Sequence, residues 1–244
     1  MTFTVLQPEG WLTPKKILVI LAHPDDPEFF FGGSIARWVQ AGHQVEYCLL
    51  TRGDKGGSDL SISPEKLMDI RMQEQRVAAR VLGVDKVTFL QERDGSLAFH
   101  ENIQRQVVCI IRQVRPDIVV SCDPLNYYLR GIYINHPDHR AAGEIALRAV
   151  FPAAGNVYYF PELIQQEGLQ PHTPEEVWLS SPVEANMVLD VTPYWQLRLD
   201  ALKKHGSQIG DPAELEAREL KRRTLDSTLE DPRFEDQFKR LIKR

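Results

Sequence analysis

Short, almost wholly apolar runs alternate with helical patterns over the first two thirds of the chain. Residues 16–22 (KILVILA) predict a strand that is buried on both faces. Apolar residues at helical spacing over 63–82 predict an amphipathic helix that begins after a Ser63 cap and ends before Gly83. The same reasoning predicts strands at 44–51, 86–90, 117–122 and 156–160, and helices at 32–41, 101–114 and 137–149.

This alternation predicts an α/β protein with a Rossmann-like, three-layer fold and a mostly parallel central sheet. In the commonest doubly wound order the strands run 3-2-1-4-5, so strands one and four are neighbours. After residue 161 the pattern loosens, and we expect strands at 176–180 and 186–190 and helices at 192–206 and 212–229. No linker demands a second domain. We therefore expect residues 1–244 to form a single domain with a helical C-terminal segment from about residue 192.

Composition narrows the class of protein. Hydrophobic residues make up 43% of the chain and charged residues 26%, as in soluble globular proteins, and the net charge of −5 counts against nucleic-acid binding. No apolar run approaches the ~20 residues that span a bilayer, and residues 1–16 lack the apolar core of a signal peptide. We expect a cytoplasmic protein without a transmembrane segment. Cys48, Cys109 and Cys122 are scattered in apolar stretches and predict buried thiols rather than disulfides.

The first candidate for chemistry directly follows the first predicted strand. Residues 22–33 (AHPDDPEFFFGG) place four ionisable side chains within six positions, and open α/β sheets bind ligands at the carboxyl ends of their strands. One imidazole and one carboxylate can hold a divalent metal here, while a second carboxylate takes a proton from water. Helix capping by an aspartate explains this segment equally well on its own. The four residues are His23, Asp25, Asp26 and Glu28.

The second candidate opens the helix that is predicted after the fourth strand. In residues 135–143 (NHPDHRAAG), Pro137 suits the first helical position, which places His136 at the cap and His139 in the first turn. Asp138 can orient a histidine by accepting its ring proton. Capping with two surface histidines is the alternative. Two histidines and an aspartate within four residues, repeating the earlier His-Pro-Asp, count against it.

Only the fold can bring these two segments together, because more than 100 residues separate them. They follow strands one and four, so we expect the two loops to face each other across the ligand-binding crevice. Two histidines and one carboxylate with an open position suit a catalytic zinc site. The same donors describe the facial triad of non-haem iron(II) oxygenases, which are usually all-β proteins. Zinc is favoured, and iron stays open at this point.

The two motifs resemble those of a known family. AHPDD after the first strand, with HPDH over 100 residues later, is similar to the LmbE-like, or PIG-L, family of zinc-dependent de-N-acetylases. That family includes N-acetylglucosaminyl-phosphatidylinositol de-N-acetylases and enzymes acting on thiol-sugar precursors and chitin disaccharides. The resemblance runs from about residue 15 to about 210. Supporting segments are TRGDKGG at 51–57, RMQE at 71–74, the Asp94-Gly95 pair and HGSQ at 205–208.

The resemblance implies a Zn²⁺ cofactor and a general base. The metal ligands would be His23, Asp26 and His139, and Asp25 would take a proton from the attacking water. The Phe-rich run at 29–31 is more apolar than the family pattern leads one to expect, which leaves the wall of the pocket, and so the substrate, open.

The resemblance also implies roles around the reacting groups. His136, oriented by Asp138, would stabilise the oxyanion or assist proton delivery to the leaving amine. Arg71 would hold substrate or the oxyanion, and the HGSQ segment favours His205 as a residue lining the site. Apart from the resemblance, Tyr133 lies just before His136, where an aromatic ring can stack on a sugar face or, equally well, pack against the rim of the site.

We therefore expect a metal-dependent amide hydrolase that removes the acetyl group from an N-acetylated amino sugar or glycoconjugate of the GlcNAc type. An amidase acting on a larger sugar or thiol-conjugate amide is the nearest alternative. An iron(II) oxygenase and a metal-free binding protein are the others. The expected partners are the small-molecule substrate and, if the resemblance extends to assembly, further copies of the chain.

Overall fold

Strands and helices alternate along the computed structural model, which describes residues 9–129 and 131–242. The strands are β1 (Lys16–Leu21), β2 (Gln44–Thr51), β3 (Lys86–Glu92), β4 (Ile118–Cys122), β5 (Tyr128–Leu129), β6 (Tyr133–Ile134), β7 (Glu176–Ser180), β8 (Met187–Asp190) and β9 (Glu235–Ile242). The α-helices are α1 (Asp26–Gln40), α2 (Pro64–Val81), α3 (Glu101–Val114), α4 (Pro137–Arg148), α5 (Pro161–Gln165), α6 (Trp195–Leu202), α7 (Gly206–Ile209) and α8 (Pro212–Leu220).

One seven-stranded sheet forms the centre of the fold, in the order β3-β2-β1-β4-β7-β9-β8. The first five strands of this order are parallel, and β9 pairs antiparallel with both of its neighbours. The predicted α/β class with a mostly parallel sheet is confirmed, and β1 and β4 are neighbours as the doubly wound order requires. A separate two-stranded hairpin, β5-β6, was not predicted.

Strand β1 separates two apolar layers. Ile17, Val19 and Leu21 pack into one cluster with α1, α2 and α6, whereas Leu18 and Ile20 pack into the other with α3 and α4. All five side chains are buried, as the uninterrupted apolar run predicted for a strand that helices cover on both faces.

Local capping explains why helix α2 was predictable. The Ser63 side chain accepts a hydrogen bond from the backbone N–H of Lys66 at 3.3 Å, and Pro64 occupies the first turn. Gly83 adopts a positive φ of 82° beyond the last turn, where a side chain would be strained. Helix α1, by contrast, begins at Asp26 rather than at residue 32, with an irregular residue at Phe31.

The predicted strand at 156–160 is wrong, because these residues form turns around a buried guanidinium. Arg112 of α3 is 1% exposed and donates to the backbone carbonyl oxygens of Ala153, Asn156 and Tyr159 at 3.3, 2.9 and 2.9 Å. These long-range hydrogen bonds satisfy backbone carbonyl groups that would pair with a neighbouring strand if the segment were part of a β-sheet. Tertiary contacts therefore override the β propensity of an apolar, aromatic run.

The C-terminal part is less helical than predicted. The helix expected at 192–206 is a 3₁₀ turn followed by α6 and α7, and the one expected at 212–229 ends at Leu220. Strand β9, which was not predicted, then enters the sheet between β7 and β8. Within β9 only Asp236 and Phe238 are buried, so the sequence carries little apolar alternation and its pairing comes from the neighbouring strands.

Two further expectations concern the cysteines and the membrane. Cys48 and Cys122 are buried free thiols, as predicted, whereas Cys109 is only partly buried. Over residues 9–129 and 131–242, no helix has both the length and the apolar character that crossing a bilayer requires.

Candidate active site

The two His-Pro-Asp segments meet at the carboxyl edge of the sheet. His23 follows β1, and α4 presents His136 at its cap and His139 in its first turn. The ring centroid of His23 lies 4.7 Å from that of His136 and 5.4 Å from that of His139. The loops after two neighbouring parallel strands therefore face each other, as the strand order predicted.

A buried carboxylate lies between two of these imidazoles. Oδ1 of Asp26 is 3.1 Å from Nε2 of His139, and its Oδ2 is 3.5 Å from Nδ1 of His23. Oδ2 also accepts the backbone N–H of His23 at 2.8 Å. Burial opposes the charged form of Asp26, but the positive charge of His139 and His23 outweighs it and holds the pKa of this carboxyl well below its usual range.

In His23 and His139, the ring nitrogen that faces away from Asp26 lies within hydrogen-bond distance of an oxygen acceptor. Nε2 of His23 lies 3.1 Å from Oδ2 of Asp138 and 3.2 Å from Oδ1 of Asp94, while Nδ1 of His139 lies 3.0 Å from Oδ1 of Asn135. An acceptor at one ring nitrogen places the ring proton there and leaves the other nitrogen with a free lone pair. The free nitrogens are therefore the ones that face Asp26.

Lone pairs that face a carboxylate repel it unless a proton or a metal cation lies between them. Without a metal, a proton must fill this place: burial lowers the pKa of His23, but Asp26, Asp138 and Asp94 raise it to about 12. Two imidazole nitrogens and a carboxylate are a donor set that zinc takes in proteins. Nε2 of His139 and Nδ1 of His23 lie 3.1 and 3.5 Å from different oxygens of Asp26, so the donor chemistry of these three residues fits a divalent cation.

A second group of donors overlaps the first. One potential ligand atom from each of His23, Asp94, His136 and Asp138 lies within 4.8 Å of the others, as do nitrogen atoms of His23, His136 and His139. The described part of the chain therefore contains a possible metal site in which His23 is common to every donor set.

Asp25 is next to this site in an unusual conformation. It occupies the cap position of α1 with φ 91° and ψ −26°, in the left-handed region, yet its side chain caps nothing. Its Oδ2 accepts from Nη2 of Arg71 at 3.2 Å. Burial raises the pKa of Asp25 to about 6, against the lowering effect of Arg71. The capping explanation of this residue is therefore not what the structure shows.

Arg71 is buried, and two glycines make room for it. Its Nη2 donates to the carbonyl oxygen of Pro24 at 2.8 Å, and its Nη1 donates to that of Gly53 at 3.1 Å. A Cβ at Gly53 or Gly56 would lie 2.2 or 2.1 Å from Nη1, so neither position can carry a side chain while Arg71 is in place. Arg71 thus holds the Asp25 loop, although it also reaches the cavity wall.

The expected contact between Asp138 and His136 differs from the structure. The Asp138 carboxylate lies against His23 and accepts the backbone N–H groups of Gly95 and Leu97 at 2.7 and 3.2 Å. The link to His136 runs the other way, because the Nδ1 of His136 accepts the backbone N–H of Asp138 at 3.2 Å. Asp138 therefore orients His23, and its backbone orients His136.

The last two predicted site residues, Tyr133 and His205, differ in how exposed they are to the cavity. Tyr133 is 60% exposed and lines the cavity beside the histidines. His205 is 0% exposed and bonds Oε2 of Glu28 through its Nε2 at 3.2 Å. Because it is enclosed below the site, His205 cannot touch a substrate, and its expected contact with substrate is not supported.

A cavity of about 1130 Å³ opens over the site. Its lining includes His23, His136 and His139 with Asp25 and Asp26, and also charged and polar side chains of the C-terminal part. Ordinary small-molecule pockets measure about 300–1,000 Å³, so this cavity has room for more than one small ring. The C-terminal lining residues are Arg218, Glu219, Arg222, Glu235 and Gln237.

Sequence reasoning missed four residues that shape the site. Asp94 was visible only as part of the family-like Asp94-Gly95 pair. Glu28 was visible only as one of four ionisable side chains within six positions. Gln75, which bonds Asp25 and Glu28, and Asn135, which bonds His139, gave no recognisable pattern. Their partners are set by the fold, so nothing in their local sequence distinguishes them from surface amides.

An open α/β sheet with imidazole and carboxylate donors gathered at its carboxyl edge defines the class: an α/β enzyme with a possible metal site. The chain belongs to the PIG-L family, described as GlcNAc-PI de-N-acetylase, whose family model matches residues 18–150, more than half of the chain. It is therefore an enzyme of the deacetylase, or amide hydrolase, type.

Individual relatives agree with this assignment. The chain is 34% identical over 194 residues to a diacetylchitobiose deacetylase of Thermococcus kodakarensis. The aligned region covers 80% of this chain and 70% of that protein. It is similar in structure to N,N'-diacetylchitobiose deacetylase from Pyrococcus horikoshii, with a TM-score of 0.85, 28% identity, and coverage of 98% and 88%. The hydratase GalB from Pseudomonas putida shares the fold at 21% identity and a TM-score of 0.74, covering 94% of this chain and 97% of GalB.

Proposed function

We propose that this protein is a zinc-dependent deacetylase that removes the acetyl group from an N-acetylated amino sugar or glycoconjugate. The observation that carries the proposal is the pair of free imidazole nitrogens on His23 and His139, which face the carboxylate of Asp26 beside the cavity. The relatives named as diacetylchitobiose deacetylases support the substrate class.

His23, Asp26 and His139 would hold the metal. We favour this set over the one that contains Asp138, because both oxygens of Asp138 accept backbone N–H groups, whereas the backbone bond to Asp26 is to its Oδ2 and Oδ1 faces His139. When bound at such a site, Zn²⁺ polarises an amide carbonyl and makes water acidic enough to act as a nucleophile near neutral pH.

Asp25 would act as the general base. Its carboxylate reaches the cavity beside the proposed ligands, and Arg71 fixes its direction. In the ionised form it accepts a proton from the attacking water, and a group with a pKa of about 6 is ionised at neutral pH yet basic enough to do so.

His136 would donate a hydrogen bond to the developing oxyanion, while the proton that Asp25 takes from water would pass to the leaving amine. The Nδ1 of His136 accepts a backbone N–H, so the ring proton of the neutral form is on Nε2. Burial lowers the pKa of His136, which favours this neutral form. One such donor contributes roughly 3 kcal/mol to stabilising an oxyanion.

The size of the cavity favours a substrate larger than one N-acetylhexosamine. Its lining includes Arg218, Arg222, Glu235 and Gln237 in addition to the proposed reacting groups, and we assign these residues to a second sugar or an aglycone. Mixed charges and amides suit a hydroxyl-rich neutral group, since each can donate to or accept from a hydroxyl.

The test is release of free amine and acetate from N-acetylglucosamine, from N,N'-diacetylchitobiose and from N-acetylglucosaminyl conjugates. We expect release that a chelator abolishes and added Zn²⁺ restores, with a higher kcat/KM for the disaccharide or a conjugate than for the monosaccharide. Release that resists complete metal removal would contradict the metal mechanism. Metal-dependent oxygen consumption without amine release would replace the deacetylase with an oxygenase.

A further inference from the structure

We propose that Gln75 is a positioning residue of this site, whose amide holds the backbone of Asp25 in the conformation that keeps its carboxylate at the cavity. The inference rests on the proposed function, because it takes Asp25 as the base. Gln75 belongs to neither His-Pro-Asp segment. It lies on α2, and its Oε1 accepts the backbone N–H of Asp25 at 2.7 Å.

The conformation of Asp25 needs such support. Its φ of 91° is in the left-handed region, which a residue with a side chain rarely adopts unless its surroundings stabilise it. Glycine would adopt this φ without strain, but glycine has no carboxylate. The sequence therefore keeps the acid at a strained position, and the surrounding hydrogen bonds must offset the strain.

The amide of Gln75 can point only one way. Its Nε2 donates to both carboxylate oxygens of Glu28 at 3.0 Å, while its Oε1 faces the N–H of Asp25. Glu28 is fixed in turn by Nε2 of His205 at 3.2 Å. Gln75, Glu28 and His205 are all 0% exposed, so the chain of hydrogen bonds runs through a dry interior where it is stiff.

Helix α2 thus holds Asp25 at two points. Arg71 and Gln75 are four residues apart, which places both on one face of the helix. Arg71 bonds the carboxylate of Asp25, and Gln75 bonds its backbone. Gln75 is fully buried and cannot touch a substrate, so we assign its effect on the reaction to its bond with the backbone of Asp25.

The test compares Gln75→Leu with Gln104→Leu. Gln104 is a matched control because it is 8% exposed and its Nε2 donates to the carbonyl oxygen of Arg148, away from Asp25. We expect Gln75→Leu to lower kcat about 10- to 100-fold with KM changed less than about threefold and with zinc content unchanged. Gln104→Leu should lower stability by less, because it removes one bond to a neutral carbonyl, and should leave kcat within about twofold.

A double-mutant cycle separates positioning from general loosening. In an Asp25→Asn background, Gln75→Leu should have almost no further effect on kcat, because the base through which it acts is already absent. A full additional loss in that background, or an unchanged kcat in the single variant, would overturn the proposal. If Gln75→Leu does not fold, Gln75→Met keeps the side-chain length and removes the same three hydrogen bonds.

A crystal structure of the Gln75→Leu variant tests the positioning role without an activity measurement. We expect Asp25 to leave the left-handed region and its carboxylate to turn away from Arg71. An unchanged Asp25 would refute the positioning role even if kcat fell. If the wild-type protein releases no amine from any substrate, the proposed function fails, while the conformation of Asp25 in the variant still decides whether Gln75 holds it.

Discussion

At the scale of single residues, the site is defined by hydrogen bonds that decide which atom of each side chain is free. Asp138 and Asn135 accept from the outer nitrogens of His23 and His139, so the inner nitrogens face Asp26 with their lone pairs. Removing the outer acceptors would leave the same donors with undefined tautomers. The proposed ligands His23 and His139 therefore depend on partners that are not themselves proposed ligands.

The role of Asp25 can be checked by Asp25→Asn. The amide keeps the size of the side chain but cannot accept a proton from water, so kcat should fall by about 100-fold or more. Zinc content, measured by elemental analysis, should stay at the wild-type level because Asp25 is not a proposed ligand. Asp69→Asn, an exposed change on α2, is the control and should leave kcat unaltered. Full activity in Asp25→Asn would refute the assignment of the base.

At the scale of elements, the sequence predicted those whose signals are local. Helix α2 is flanked in sequence by its cap and its terminal glycine, and β1 is apolar after Lys16, so both were found. Strand β9 was missed because only Asp236 and Phe238 turn inward and the ladder partners are distant in sequence. The meeting of the two loops followed from strand order, whereas Gln75 and Asn135 could not be found, since only tertiary structure brings them to the site.

Helix α4 reaches the site by packing tightly on the end of β4. A Cβ at Gly143 would lie 2.2 Å from the backbone oxygen of Cys122, and backbone cannot move aside as a side chain does. We expect Gly143→Ala to push α4 outward, to lower the free energy of unfolding by about 1–3 kcal/mol, and to weaken zinc binding about tenfold or more. Urea unfolding of the metal-free protein and zinc titration measure the two effects.

The neighbouring substitution Glu144→Ala is the control for this helix. Glu144 is exposed and bonds only Arg148 four residues on, so its loss should change stability by less than about 0.5 kcal/mol and leave zinc affinity unchanged. Wild-type zinc affinity in Gly143→Ala would show that the close approach of α4 to β4 does not determine the position of His136 and His139.

At the scale of the whole molecule, one sheet joins the two ends of the described chain around the site. Strand β9 lies inside that sheet, and its Asp236 accepts from the backbone N–H and the hydroxyl of Ser34 on α1 at 3.0 and 2.8 Å. Helix α1 begins at Asp26, so the C-terminal strand supports the helix that carries a proposed metal ligand. Part of the cavity lining also comes from this C-terminal part.

The account as a whole requires that two loops, brought together by neighbouring strands, hold a single cation. The most direct measurement is the anomalous diffraction of crystals of the zinc-loaded protein, recorded on both sides of the zinc absorption edge. The account predicts one peak bounded by Nδ1 of His23, a carboxylate oxygen of Asp26 and Nε2 of His139. A peak on the opposite side of the His23 ring, between Asp94 and Asp138, or no peak at this edge of the sheet, would contradict it.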